Sequence, residues 1–213
     1  MNKLIENNNV ELVGEIVSDF SFSHESFGEA FYFVDVAVKR LSETIDYLPL
    51  LISEHLIDVN SDCIGKTIHV NGQFRSFNLH EEKKNRLILS VFAMELKLLD
   101  EIDEDTSTNH IFLDGYICKE PIYRKTPLER EITDILIAVN RSYGKSDYIP
   151  CIVWGRNARY ASGLKIGEHI KLNGRIQSRE YVKKISETDA EKRIAYEVSA
   201  SRIEVIDDGK EDY

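Results

Sequence analysis

The sequence predicts an all-β chain made of two small barrels in tandem, on three observations. A pattern of residues recurs about a hundred positions later, an acidic segment separates the two copies, and each copy is cut into strand-length apolar or alternating runs. A shift of 101 lays Gly14 on Gly115, Ala37, Val38 and Arg40 on Ala138, Val139 and Arg141, and Asp46, Tyr47 and Pro49 on Asp147, Tyr148 and Pro150. At a shift of 102, Gly65, Asn71, Gly72 and Ser76 fall on Gly167, Asn173, Gly174 and Ser178. The join is DEIDEDTSTN, residues 100–109, with five acids, no bases and little to bury, which is a linker composition. The expected layout is a first domain over 1–99, the linker, a second domain over 110–206 and a short acidic tail over 207–213.

The elements are clearest in the second copy. IFLDGYI, ITDILIAVN, YIPCIVW, HIKLNGRIQSREY and RIAYEVSASRIEVI read as five strands separated by turn-like segments. Only RNARYASGL, after the third run, reads as a short helix or turn. Five strands with one short helix after the third match the OB-fold, a partly open Greek-key barrel. The fold class is therefore tandem OB-fold barrels, two five-stranded Greek-key barrels each with a short helix. Gly115 and Gly174 interrupt strands where a barrel has to bend.

Parity then sorts side chains onto faces. In the fourth run Ile170, Leu172, Gly174 and Ile176 would fill the barrel, while Lys171, Asn173, Arg175, Gln177, Arg179 and Tyr181 face outward. In the third run Ile149, Cys151 and Val153 share one side, and Tyr148, Pro150, Ile152 and Trp154 the other. An outward face of rings and cations suits single-stranded nucleic acid, which offers flat bases to aromatics and phosphates to cations. Tyr148 and Trp154 are the expected stacking platforms, with Tyr143, Tyr160 and Tyr181 as further candidates. Arg141, Lys145, Arg156, Arg159, Lys171, Arg175 and Arg179 are the expected phosphate contacts, which would make affinity salt-dependent.

The net charge of −10 hides a division between the copies. Residues 109–203 hold 17 Lys and Arg against 12 Asp and Glu, whereas residues 1–99 hold 9 against 15. The first copy also has Ser53 for Trp154, His69 for Lys171, Gln73 for Arg175, Phe77 for Arg179 and Leu79 for Tyr181, and its outward row keeps one firm cation, Arg75. It is expected to bind strands weakly and to serve assembly or partner contact.

KEPIYRKTP, ILIAVNR, IVWGRNAR and IKLNGRIQSREY, in this order over nearly all of residues 109–206, resemble the bacterial single-stranded DNA-binding protein family. The two-copy chain is similar to that family's two-domain, clostridial-type version. The resemblance implies base stacking by Tyr148, Trp154 and Tyr181, and a role coating single-stranded DNA in replication, recombination or repair, with replication or repair proteins as partners. It also implies four OB domains per assembly, which a two-domain chain reaches as a homodimer. Members commonly end in a glycine-rich tail with an acidic tip and terminal Phe that recruits other replication proteins. IEVIDDGKEDY departs from that pattern, being short and ending in Tyr213.

Other classes find less support. There is no P-loop, GxSxG, HExxH or Gly-rich dinucleotide fingerprint, and His24, His55, His69, His80, His110 and His169 are scattered, so neither an enzyme nor a cofactor or metal is expected. Cys63, Cys118 and Cys151 form no CxxC pair and read as reduced, buried thiols. No run is apolar enough to act as a signal or to span a bilayer, which implies no membrane partner and a cytoplasmic, nucleoid-associated location. An accessory OB module of a primosome, or of an RNA-binding or protein-interaction complex, is the open alternative, because stacking and phosphate contacts serve RNA nearly as well as DNA. KKISETDAEKR, between the last two runs, is expected to be a mobile loop lying over a bound strand.

Overall fold

The computed structural model describes residues 7–81, 84–101, 108–184 and 190–207. The first half contributes β1 (Asn8–Ile16), β2 (Ser21–Ser26), β3 (Glu29–Lys39), β4 (Ile45–Ser53), β5 (Thr67–Glu81) and β6 (Lys84–Leu99). The second contributes β7 (Asn109–Lys125), β8 (Glu131–Asn140), β9 (Ser146–Trp154), α1 (Arg156–Ala161), β10 (His169–Lys184) and β11 (Ala190–Ile206).

Each half closes on itself. In the second, β7 pairs with β8, β8 with β9, β9 with β11 in parallel, β11 with β10, and β10 again with β7. The first repeats this circuit through β1, β3, β4, β6 and β5, with β2 added at the rim of β3. One parallel pair in an otherwise antiparallel closed circuit of five strands is the OB-fold connection. Alternation drives it: Ile170, Leu172 and Ile176 are fully buried, as are Ile137, Val139, Ile149 and Val153, and each such side chain contributes about 1.5–3 kcal/mol by leaving water. Closure demands a missing side chain on the first strand of each barrel. A Cβ on Gly14 would lie 2.6 Å from the Ala37 carbonyl oxygen, and one on Gly115 2.5 Å from that of Ala138.

Three details differ from the sequence reading. The first barrel has a turn closed by Leu56 N–H donating to the Ser53 carbonyl where the second has α1, so the helix occurs once among the described residues. The KEPIYRKTP segment, expected after a strand, instead continues β7 through bulges near Lys119, and Ile122 to Lys125 pair with β8. Asn109, assigned to the linker, starts β7. Residues 102–107 of the join and most of the tail, 208–213, lie outside the described residues.

The two barrels are related by a pseudo-twofold axis. β1 pairs antiparallel with β7, with Asn8 opposite Leu113, Val10 opposite Ile111 and Leu12 opposite Asn109, so equivalent residues meet at Val10 and Ile111. Four pairs of bonds across the axis mirror one another. Val13 N–H donates to the Thr108 carbonyl (2.9 Å) and Asp114 N–H to the Asn7 carbonyl (2.8 Å). Asn7 Nδ2 donates to the Asn140 carbonyl (2.7 Å) and Thr108 Oγ1 to the Lys39 carbonyl (2.8 Å). Asp46 Oδ1 accepts from Ser178 N–H (2.7 Å), as Asp147 Oδ1 does from Ser76 N–H (2.6 Å). Tyr47 N–H donates to Ser178 Oγ (3.2 Å) and Tyr148 N–H to Ser76 Oγ (2.8 Å). The shared pair joins all eleven strands into one sheet and covers strand edges that would otherwise stand open.

Candidate nucleic-acid interface

The outward face of the second barrel is formed by β8, β9, β11 and β10. Tyr148 and Trp154 lie six residues apart on β9, hence on the same side and roughly 20 Å apart. Tyr148 is 45% exposed. Trp154 is half-buried, and its Nε1–H donates to Ser199 Oγ (3.1 Å). Tyr181 near the end of β10 is 37% exposed and lines a groove of about 450 Å³ with Pro150, Arg193 and Tyr196 and with Leu87 and Leu89 of the first barrel. Tyr143, at a turn with φ of 63°, and Tyr160 on α1 are exposed. Ile152, expected outward, is buried; it sits between Asp134 of β8 and Ser199 of β11.

The cations are deployed differently from the expected phosphate row. Arg159 Nε lies 2.8 Å from Glu131 Oε2, and Glu131 also accepts from Tyr123 Oη, which together hold its carboxyl below the usual range. Lys171 faces Asp114 at 3.8 Å and Arg179 faces buried Glu197 at 3.4 Å. Arg175 reaches across the pseudo-axis to Asp46 of the first barrel, at 3.6 Å; burial and nearby Arg40 lower its pKa. Arg141 Nε lies 3.4 Å from Asp147 Oδ2 without hydrogen-bond alignment. Among the described residues only Lys145 and Arg156 of the seven candidates carry no ion pair. The acids responsible were invisible as partners because most come from distant parts of the chain. Burial raises the Asp147 and Cys151 pKa values. Cys63 and Cys151 are buried free thiols and Cys118 is half-buried.

The first barrel does hold rings: Tyr47, matched with Tyr148, is exposed, whereas the ring matched with Trp154 is replaced by one on another strand. Phe92 of β6 lies where Ser199 lies in β11, because Gly72 pairs with Ala93 as Gly174 pairs with Ala200. The aromatic ring has thus moved from the end of the third barrel strand to its parallel neighbour. Arg75 sits 3.8 Å above the Phe92 ring, and Phe77 stacks on Phe33 with ring centroids 6.3 Å apart. The side chain of Leu79, matched with Tyr181, and the tip of the expected mobile loop, 185–189, lie outside the described residues; the flanking backbone forms a hairpin that pairs Lys184 with Ala190.

Residues 108–206 match the model of the single-strand binding protein family. This part of the chain is similar to that family. Single-stranded DNA-binding protein 2 of Listeria innocua is 30% identical over 106 residues, covering 46% of this chain and 64% of that protein. Single-stranded DNA-binding protein A of Bacillus subtilis is 34% identical over 80 residues, covering 34% and 46%. The chain therefore spans less than two thirds of the length of either relative. The wild-type single-stranded DNA binding protein from Thermus aquaticus superimposes with a TM-score of 0.70 at 21% identity, over 97% of this chain and 96% of that one, so both barrels and their relative placement share its fold. No helix among the described residues is long and apolar enough to cross a membrane.

Proposed function

We propose that the chain binds single-stranded DNA without catalysing a reaction, and that the outward face of the second barrel is the main contact. One observation carries this reading: within the family-matched residues, Tyr148, Trp154 and Tyr181 occupy one face of a closed OB barrel with their rings half-buried or exposed. Bases stack on these rings, while Lys145 and Arg156, the two candidate cations without an ion pair among the described residues, take phosphates. Arg159, Arg179 and Lys171 exchange their present acids for phosphate or stay structural. The roles implied are coating of strands in replication, recombination or repair, in a homodimer that presents four barrels, with replication or repair proteins as partners. The first domain, residues 1–99, supports the second through the shared β1–β7 pair and contributes to assembly.

Trp154 is the only tryptophan, so its fluorescence reports the proposed face alone. Titration with oligo(dT) quenches it, and the quenching weakens with added salt. An unchanged signal, with no binding by anisotropy, would overturn the reading. RNA of matching sequence separates DNA from RNA preference, and static light scattering tests the homodimer.

A further inference from the structure

Trp154 is the last residue of β9, and the chain turns away at Gly155, where φ is 60°. Register gives Trp154 a partner on one side only: Ile132 of β8 stands opposite it, while the parallel pairing with β11 runs from Cys151 to Val153. A ring at such a strand end has room for more than one rotamer. One hydrogen bond settles the choice, from Trp154 Nε1–H to Ser199 Oγ (3.1 Å).

Ser199 is opposite Ile152 of β9 and Arg175 of β10, and Ile152 shares its face with Trp154. To reach that hydroxyl the indole leans back along its own strand by about 7 Å, the rise of two residues, and lies along the sheet instead of standing off it. Burial of the neighbouring side chain follows the ring. Ile152 is 5% exposed although its parity is outward. In the first barrel Leu51 holds the equivalent place and Ser53 replaces the tryptophan, and Leu51 is only half-buried even with Phe92 opposite it. The outward apolar side chain is covered where the ring is present and left uncovered where it is missing.

We infer that Ser199 is a positioning residue for Trp154: its hydroxyl pins the indole over Ile152, with one ring face on the sheet and the other turned to solvent. The inference rests on the proposed function, in which that ring stacks on a base. Pinning fixes the rotamer before a strand arrives, so less side-chain freedom is lost on binding. The bond also uses the indole's single donor, so the ring offers a flat face and no hydrogen bond to a base edge.

The test uses the full chain, S199A and S199T. Acrylamide quenching of the free protein reads this ring alone, because Trp154 is the only tryptophan. S199A is expected to raise the quenching constant and to lower oligo(dT) affinity about fivefold in anisotropy, part of the value of one stacked base. Its slope of log affinity against log salt stays at the parent's, since no cation is lost. S199T, which keeps the hydroxyl, restores quenching and affinity. Parent-like quenching and affinity in S199A, or an S199T that behaves as S199A, would overturn the inference and leave the proposed function standing. A salt slope that falls with S199A would overturn it too, by tracing the loss to phosphate contacts. No salt-sensitive binding by the parent, with the quenching constant still raised in S199A, would overturn the proposed function and leave Ser199 as the anchor of the ring.

Discussion

Removing the Asp46 carboxylate should loosen the two barrels from each other. Asp46 is fully buried and accepts from Arg40 Nε (2.6 Å) and Nη2 (2.5 Å), from Ser178 N–H (2.7 Å) and from Ser178 Oγ (3.3 Å), with Arg175 a further 3.6 Å away. Breaking a buried pair by deleting one partner costs about 3–5 kcal/mol. The Arg40 and Arg175 side chains keep 23% and 36% of their exposure, so water recovers part of their solvation and the lower end applies to D46A. With an m-value of about 2 kcal/mol/M, ~3 kcal/mol moves the urea midpoint down by ~1.5 M. D46N keeps an acceptor for Ser178 and should lose about half as much. The mirror variant D147N should lose less again, because Arg141 is not hydrogen-bonded to Asp147 and burial already opposes its charge. A D46A midpoint within about 0.3 M of the parent, or a D147N loss equal to that of D46N, would refute the reasoning.

Asp147 also gives a pH signature: since its folded pKa is raised, the folded state holds the proton more tightly, so its contribution to stability falls as pH rises from the ordinary value of 3.8 through the folded value. D147N should flatten that part of a plot of urea midpoint against pH. W154A should weaken oligo(dT) binding roughly tenfold in fluorescence anisotropy, by loss of one stacked base. K145A and R156A should each reduce the slope of log affinity against log salt by about 0.7, whereas R159A, already engaged by Glu131, should change it less. G115A forces a Cβ onto the Ala138 carbonyl at a barrel closure point and should cost about 3 kcal/mol or more in thermal unfolding.

Strand content and barrel circuit were legible because alternation and the repeated glycines are local signals: Gly14 and Gly115 sit at equivalent bends, and Gly72 and Gly174 at equivalent bulges. The rings Tyr148 and Tyr181 were legible for the same reason, parity alone placing them outward. Parity failed to show that Ile152 is buried, since its neighbour Ser199 on the parallel strand β11 is nearly fifty residues away in sequence. It was also silent on charge, since the partners of Arg175 and Arg159 are set by tertiary placement. The ring Phe92 of the first barrel escaped a position-by-position comparison because it stands on the neighbouring strand, far from Ser53 in sequence and opposite Leu51 in the sheet. The same loss of alignment hid the pairing of the two copies, since nothing in either copy alone says that β1 and β7 adjoin.

The mirrored bonds about Val10 and Ile111 are those of a dimer, yet both partners are one polypeptide. A tether of this length holds the halves at an effective concentration in the millimolar range, so they stay assembled at any dilution of the chain. Covalent fusion also frees each half from identity. In a true homodimer any substitution appears twice, and Trp154 could not mark one barrel while Ser53 stands at its place in the other. Here the symmetry of the backbone persists while the chemistry of its two faces diverges.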